Sequence, residues 1–286
     1  MMKNFGRIMK SSSNKFLIFR RHINMTNKFG LIGKNISYSK SPKIHRFMAD
    51  KLNLDMQYDL IDIDEEEIPK FIKQIRSGIY RGFNVTAPYK QMICKYVDEL
   101  TPKAKRIQAV NTVYMKNDKV IGDNTDYDGF IGLLLTHHID VKDKNVYILG
   151  SGGAAKSVYV ALTDLMANVT VVARKSTEET SFFNKVITYD QINPNKVDIY
   201  IQTTPIGTYP NVFDSILSSD LVKNHTVIDL IYNPPATQIM KDSQHGINGL
   251  NMLIIQALKS EEIWFSRKIE WTNLLMNALK EVIYNE

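Results

Sequence analysis

Two polar clusters in the first half of the chain contain residues that could move a proton. The first, at residues 84–90 (NVTAPYK), places Lys90 beside amide and hydroxyl side chains, and the second, at 122–126 (GDNTD), ends in Asp126. A lysine can give or accept a proton in catalysis when a neighbouring carboxylate orients it. We therefore predict that Lys90 and Asp126 act together on a polar substrate, although each taken singly could be an exposed charge.

A glycine-rich loop follows at residues 150–155 (GSGGAA), where Gly150, Gly152 and Ala155 fit the spacing of dinucleotide-binding loops. Small residues let the backbone approach a pyrophosphate, and the N-terminus of the next helix stabilises its negative charge. The loop stands between a predicted strand and a predicted helix. This context favours dinucleotide binding over an ordinary tight turn.

The residues after the next predicted strand indicate which dinucleotide is bound. Enzymes that prefer NAD usually carry an acidic residue about 20 positions after the loop, where it binds the ribose 2′-hydroxyl. Here Ala173 is followed by Arg174 and Lys175. Cations suit a 2′-phosphate, which arginine can bind with two parallel hydrogen bonds. We predict NADP; the alternative is that both side chains are merely solvated.

The order of secondary-structure elements predicts how these residues meet. In the first half, strands are predicted at 29–33, 58–63 and 82–86, helices at 41–52, 65–75 and 88–97, and a hairpin at 111–115 and 119–122. Ser41 is the predicted N-cap of the first helix, with Pro42 at its first position. This alternation predicts a mainly parallel sheet with the hairpin on its edge. Asn84, Thr86 and Asn111 then lie at neighbouring strand ends, where ligands gather in such sheets.

The second half predicts a doubly wound, Rossmann-type unit. A helix at 127–136 leads into it, and strands are predicted at 145–149, 168–173, 199–202 and 226–229. Two helices with apolar faces finish the chain, and we expect them to pack back on the first unit. The predicted fold is therefore α/β with two domains. Their expected ranges are 29–126 plus about 250–286 for substrate and catalysis, and 127–249 for NADP.

The net charge of +6 belongs to one end of the chain. Residues 1–24 contain six Lys and Arg and no acid, so the remainder has a net charge of 6 − 6 = 0. Because the positive charge is not spread over a binding face, we exclude nucleic acid as a partner. This segment resembles a transit peptide in composition, but we prefer a disordered basic extension, residues 1–28, with Met25 as the natural start.

Other features of the sequence exclude several classes of protein. The apolar run at 130–135 (FIGLLL) is far shorter than the roughly 18 residues of a membrane span. The single cysteine, Cys94, excludes an internal disulfide and fits a reducing, cytoplasmic location. No His, Cys and Asp residues have the spacing of metal ligands, so no metal is expected.

Eight motifs, in order, resemble those of the shikimate dehydrogenase family. They are residues 37–42 (SYSKSP), 84–90, 109–112 (AVNT), 122–126, 150–154, 202–207 (QTTPIG), 229–232 (DLIY) and 249–256 (GLNMLIIQ). The resemblance extends from about Phe29 to the C-terminus. It implies reversible, NADP-linked oxidation of shikimate to 3-dehydroshikimate, on the route through chorismate to aromatic amino acids.

The resemblance also implies roles for individual residues. Lys90 and Asp126 would be the catalytic pair, and Ser39 and Ser41 would bind the substrate carboxylate. The residues implied at the ring hydroxyls and the pocket border are Asn84, Thr86, Asn111, Gln256 and Tyr232. The residues implied at the cofactor are Gly150, Ser151, Gly152, Gly153, Ala154, Ala173, Arg174, Lys175, Thr204, Gly249 and Met252.

Two departures from the family pattern concern the cofactor side. The family commonly has Asn-Arg-Thr or Asn-Arg-Ser where this chain has residues 173–175 (ARK), and Asn where Gln202 stands. A related enzyme that uses quinate as well as shikimate, with NAD or NADP, is the closest alternative. A non-catalytic ligand sensor on the same scaffold is an alternative of another class. We expect a monomer or a homodimer.

Overall fold

The computed structural model describes residues 27–175 and 178–285. The strands are β1 Asn27–Gly33, β2 Met56–Asp62, β3 Gly82–Val85, β4 Glu99–Leu100, β5 Thr112–Lys116, β6 Lys119–Asp123, β7 Asn145–Leu149, β8 Asn168–Val172, β9 Val186–Ile187, β10 Ile199–Gln202, β11 Thr226–Asp229 and β12 His245–Asn248. The α-helices are α1 Ser41–Leu52, α2 Ile68–Arg76, α3 Pro102–Ile107, α4 Asp126–Thr136, α5 Gly153–Asp164, α6 Ser219–Val222, α7 Gln238–Asp242, α8 Leu250–Phe265 and α9 Asn273–Tyr284.

The first sheet has the strand order β2-β1-β3-β5-β6-β4. Strand β1 pairs in parallel with β2 and β3, whereas β5 runs antiparallel to β3 and to β6. The predicted hairpin is confirmed, and Asn117 and Asp118 form its two-residue loop with positive φ angles. Its predicted place on the sheet edge is wrong, because the short strand β4 pairs with β6 on the outside.

Two local predictions in the first half are wrong. Residues 88–97 form a tight turn and a short 3-10 helix at Met92–Lys95, not an α-helix. The backbone carbonyl of Lys90 accepts a hydrogen bond from the Val110 backbone N–H at 2.7 Å. This tertiary hydrogen bond replaces the one that Lys90 would make within a helix.

The N-cap of α1 is also not the predicted residue. Lys40 occupies the N-cap position, and Ser41 is the first helical residue. Ser39 lies just upstream, and its Oγ accepts a hydrogen bond from the Ser41 backbone N–H at 3.3 Å. A serine outside the helix therefore satisfies one of the free N–H groups of its first turn.

The second sheet is parallel throughout, with the order β12-β11-β10-β7-β8-β9. Helices α4 and α5 pack against it through apolar residues that include Phe130, Leu133 and Val158. The strand order reverses between β7 and β10, which is where parallel sheets of this kind bind nucleotides. The glycine loop follows β7 directly, so it lies at this reversal.

The C-terminal helices pack on the first unit, as predicted. Residues Ile44 and Met48 of α1 share a buried cluster with Leu258 of α8 and Leu279 of α9. The sequence also predicts Leu274 on the apolar face of the last helix, and this prediction is wrong, because Leu274 is 79% exposed. The two-sheet α/β arrangement of the sequence prediction is confirmed.

Helices α4 and α8 pack closely along each other. A Cβ atom added at Gly129 would lie 2.8 Å from the Met252 carbonyl oxygen, and one at Gly132 would lie 2.6 Å from the Ile255 side chain. Glycine is therefore required at position 129, where the contact is with backbone, whereas a side chain at position 132 would require Ile255 to move. Among the described residues, no helix is long and apolar enough to cross a bilayer. The predictions for residues 1–26 fall outside the described part of the chain, whereas residues 27 and 28, predicted as extension, belong to β1.

Candidate active site

A polar cavity of about 250 Å³ opens where the carboxyl ends of β1 and β3 meet the glycine loop. All nine residues that the resemblance implies for substrate and catalysis line it: Ser39, Ser41, Asn84, Thr86, Lys90, Asn111, Asp126, Tyr232 and Gln256. The cavity also contains Ala154, Gly249 and Met252 from the implied cofactor set. Residues up to about 220 positions apart in sequence therefore share one small space.

Lys90 and Asp126 form an ion pair in this cavity. The Lys90 Nζ donates to Asp126 Oδ2 at 2.7 Å, and the side chains are 18% and 7% exposed. Asn111 Nδ2 donates to the other carboxylate oxygen at 2.9 Å. Both carboxylate oxygens therefore have partners, and the ammonium is fixed at the cavity wall with part of its surface open.

Asn111 connects the catalytic pair to the rest of the cavity. Its Oδ1 accepts a hydrogen bond from the Thr125 backbone N–H at 2.7 Å. Its Nδ2 also lies 3.0 Å from Thr125 Oγ1 and 3.4 Å from Gln256 Oε1. Since an amide nitrogen has only two hydrogens, these acceptors compete, and a ligand could displace the longest contact.

Asn84 is held by residues that the sequence did not identify. Its Nδ2 donates to Ser260 Oγ at 2.8 Å, and its Oδ1 accepts from the Tyr58 hydroxyl at 2.8 Å. Ser260 lies four residues after Gln256 on α8, so both occupy one face of that helix. That spacing could have indicated Ser260, whereas Tyr58 looks like an ordinary aromatic residue of a strand.

The glycine loop lies directly against Lys90. A Cβ added at Gly153 would be 3.3 Å from the Lys90 Cβ, and Gly150 has a φ of +110° that favours glycine. A Cβ at Gly249 would lie only 2.1 Å from the Leu230 carbonyl oxygen. The backbone therefore passes close to Lys90 at Gly153 and close to Leu230 at Gly249, and both places border the polar cavity.

A second space, the loop cleft, extends from the same loop and has a volume of about 630 Å³. Six residues of the implied cofactor set line it: Gly150, Ser151, Gly152, Ala173, Arg174 and Thr204. A Cβ added at Gly152 would have no atom within 4 Å, so the cleft is open in front of this backbone. The glycine loop therefore borders both the loop cleft and the polar cavity.

Arg174 and Lys175 are both exposed, but only Arg174 lines the loop cleft. The sequence also missed Tyr189 and Ser215, which do line it. Across residues 27–175 and 178–285, no group of three or more His, Cys, Asp or Glu could hold a metal ion.

Comparison with known proteins gives consistent matches. Residues 31–113 match the family model for the shikimate dehydrogenase substrate binding domain. The shikimate dehydrogenase (NADP(+)) of Clostridium beijerinckii is 38% identical over 267 residues, which cover 90% of this chain and 98% of that protein.

Solved structures agree in fold as well as in sequence. Shikimate dehydrogenase 1 of Peptoclostridium difficile superposes with a TM-score of 0.81 at 37% identity, over 91% of this chain and 100% of that one. The Thermus thermophilus shikimate 5-dehydrogenase, solved with NADP(H) and shikimate, superposes with a TM-score of 0.80 at 26% identity. The match covers 90% of this chain and 98% of that one. The present chain belongs to the shikimate dehydrogenase family.

Proposed function

We propose that this protein catalyses the reversible reduction of 3-dehydroshikimate to shikimate with NADPH. The observation that carries the proposal is the Lys90–Asp126 pair, 2.7 Å apart, in a cavity that also contains Ala154 and Met252 beside the glycine loop. A proton donor and the reacting end of a dinucleotide can therefore meet at one small substrate. The family membership of the chain supports the same reaction.

Lys90 moves the proton in this reaction. Bound NADPH supplies the hydride, which goes to the carbonyl carbon of the substrate. As it arrives, the Lys90 ammonium gives a proton to the carbonyl oxygen, so that an alcohol forms. In the direction of oxidation the neutral amine takes the proton from the alcohol. Asp126 orients the amine and binds the same hydroxyl.

The remaining polar residues of the cavity bind the substrate. Ser39 and Ser41 bind its carboxylate, and the ring hydroxyls pair with Asn84, Thr86, Asn111 and Gln256, with Tyr232 at the border. These are neutral groups with defined donors and acceptors. An analogue that lacks a hydroxyl would leave one of them unpaired, at a cost of about 1–3 kcal/mol.

The loop residues 150–154 receive the pyrophosphate, and Arg174 binds the 2′-phosphate of NADP. Gly249 and Met252, which line the polar cavity, would lie beside the nicotinamide. Lys175 lies outside the loop cleft, which supports a smaller contribution from this second cation. Domain limits of 29–126 plus about 250–286, and 127–249, fit the two sheets. A cytoplasmic location and a monomer or homodimer stay predictions.

The test is the rate of NADPH formation from NADP and shikimate, measured by absorbance with purified protein. Parallel reactions contain quinate in place of shikimate, or NAD in place of NADP. Turnover that is fastest with shikimate and NADP supports the proposal. Comparable rates with quinate would favour the broader quinate/shikimate enzyme. Binding of shikimate without turnover would favour a ligand sensor.

A further inference from the structure

The orientation of the Asn84 side chain is determined by its neighbours. Its Nδ2 lies 3.2 Å from the Asn111 carbonyl oxygen, which can only accept, and 2.8 Å from Ser260 Oγ. The nitrogen must therefore point toward these two atoms, and Oδ1 must face Tyr58. Because the amide oxygen can only accept, the Tyr58 hydroxyl is the donor in this 2.8 Å hydrogen bond.

These hydrogen bonds leave the Asn84 side chain able to make one further hydrogen bond, as an acceptor. Both hydrogens of Nδ2 have protein acceptors, and Tyr58 uses one of the two lone pairs of Oδ1. Asn84 is only 4% exposed and lines the polar cavity. The remaining lone pair is thus what Asn84 offers to a ligand, which makes it an acceptor for a hydroxyl group.

The ring of Tyr58 rests on a buried pair from two helices. His45 of α1 stacks on it, with ring centroids 4.1 Å apart and an angle of 20° between the planes. His45 Nδ1 lies 2.7 Å from Oε1 of Glu261 on α8, and these side chains are 0% and 1% exposed. His45 lies one helical turn after Ser41, and Glu261 follows Ser260. The pair therefore joins the two helices directly beneath cavity residues.

The same surroundings keep the Tyr58 hydroxyl protonated. Burial, followed by the charge of Glu261, raises the pKa of Tyr58 well above its usual value, against a smaller opposite effect of Ser41. The phenol thus remains a donor over the whole working range of pH.

We propose that Tyr58 is a positioning residue for substrate binding: its hydroxyl fixes the amide of Asn84, while the His45–Glu261 pair fixes its ring. This inference rests on the proposed function, because Asn84 is taken to bind a ring hydroxyl of shikimate. Tyr58 itself does not line the cavity. Its effect must therefore pass through the cavity residues that its hydroxyl contacts, chiefly Asn84 at 2.8 Å, with Ser41 as the second.

The test compares Tyr58→Phe with wild type in steady-state kinetics with shikimate and NADP. The variant keeps the stacked ring and loses one neutral hydrogen bond, so we expect KM for shikimate to rise about 2- to 10-fold. We expect kcat and the melting temperature to stay close to wild type. Tyr80→Phe is the matched control, since the Tyr80 hydroxyl donates to Asp59 at 2.7 Å in the same sheet, away from the cavity.

A double-mutant cycle separates positioning from a general structural role. In an Asn84→Ala background, Tyr58→Phe should lower kcat/KM by less than about 2-fold, because the residue through which it acts is gone. An equal loss in both backgrounds, an unchanged KM in the single variant, or the same rise in Tyr80→Phe would overturn the inference. If wild type showed no turnover, the proposed function would fail separately, and shikimate affinity by calorimetry would still test Tyr58.

Discussion

At the scale of single residues, the chemistry depends on how one ammonium group is presented. The Asp126 carboxylate binds Lys90 through one oxygen and Asn111 through the other. The lysine backbone is fixed by Val110, and the glycine loop runs beside its side chain, since a Cβ added at Gly153 would lie 3.3 Å from the Lys90 Cβ. Lys90 is therefore held from three sides, and the side that remains open faces the cavity.

Replacement of Lys90 by alanine tests its role. We expect kcat to fall by about 10²- to 10⁴-fold, the usual contribution of a general acid or base. NADPH affinity and the melting temperature should change little. The control is Lys103→Ala, since Lys103 pairs with Asp123 and Asp128 and does not line the cavity. Near-normal turnover of a folded Lys90→Ala variant would exclude proton transfer by this residue.

Replacement of Arg174 tests the preference for NADP. A charge-assisted hydrogen bond contributes about 1.5–3 kcal/mol, so Arg174→Ala should weaken NADPH binding about 10- to 100-fold. NADH binding should be nearly unchanged because NADH has no 2′-phosphate. Lys175→Ala should have a smaller effect, since Lys175 lies outside the loop cleft. Fluorescence titration with each cofactor measures the two affinities. An equal loss of affinity for NADPH and NADH would contradict the assignment of Arg174 to the 2′-phosphate.

At the scale of elements, the end of β11 shows how a buried carboxyl shapes a loop at the cavity. Asp229 accepts hydrogen bonds from the Ile231 backbone N–H at 3.0 Å and from the Thr237 hydroxyl at 2.6 Å. The residues between them include Leu230 and Tyr232, which both line the cavity. Burial raises the pKa of Asp229 to about 7, although both hydrogen bonds act in the opposite direction.

This carboxyl makes stability depend on pH. Its pKa is about 3.9 in an unfolded chain, so the folded state binds the proton more tightly. The resulting stabilisation is complete below about pH 4 and is lost as the pH rises to about 7. We expect this group to lower the free energy of unfolding by on the order of 2 to 3 kcal/mol between pH 5 and pH 8. Urea unfolding of wild type and Asp229→Asn should show this component in wild type alone; parallel pH profiles would contradict it.

At the scale of the whole molecule, the polar cavity and the loop cleft lie between the two sheets. The sequence predicts that this gap closes on its ligands through residues 127–129 and the segment near Gly249. Residues 127–129 belong to helix α4, which packs against α8, and Tyr127 donates to Asp164 of α5 at 2.8 Å. A hinge inside α4 would break these contacts. We therefore expect closure to use the connections at either end of the helix pair, among them the predicted segment near Gly249.

Closure has a consequence that can be measured in solution. Ligands that bind between two units favour the closed arrangement. We expect the radius of gyration from X-ray scattering to decrease when NADP and shikimate are both present, and to change less with NADP alone. Scattering curves that superpose with and without both ligands would show that the protein binds them without closing.

The sequence by itself determined the features that depend on local patterns. Apolar segments predicted nine of the twelve described strands, all except β4, β9 and β12. The spacing of Gly150, Gly152 and Ala155 indicated the loop, and ordered motifs indicated the family. The composition also located the excess charge in residues 1–24. These features can be read from the sequence because each depends on residues that are close together in the chain and on their backbone preferences.

Only the tertiary structure decided the features that depend on partners distant in sequence. Residues 88–97 do not form a helix, because Val110 binds the carbonyl of Lys90. The contacts of His45 with Tyr58 and Glu261 exist only because β2, α1 and α8 pack together. Arg174 and Lys175, adjacent cations in sequence, differ because only Arg174 lines the cleft. Local propensity cannot reveal such contacts, since each requires two segments that fold against each other.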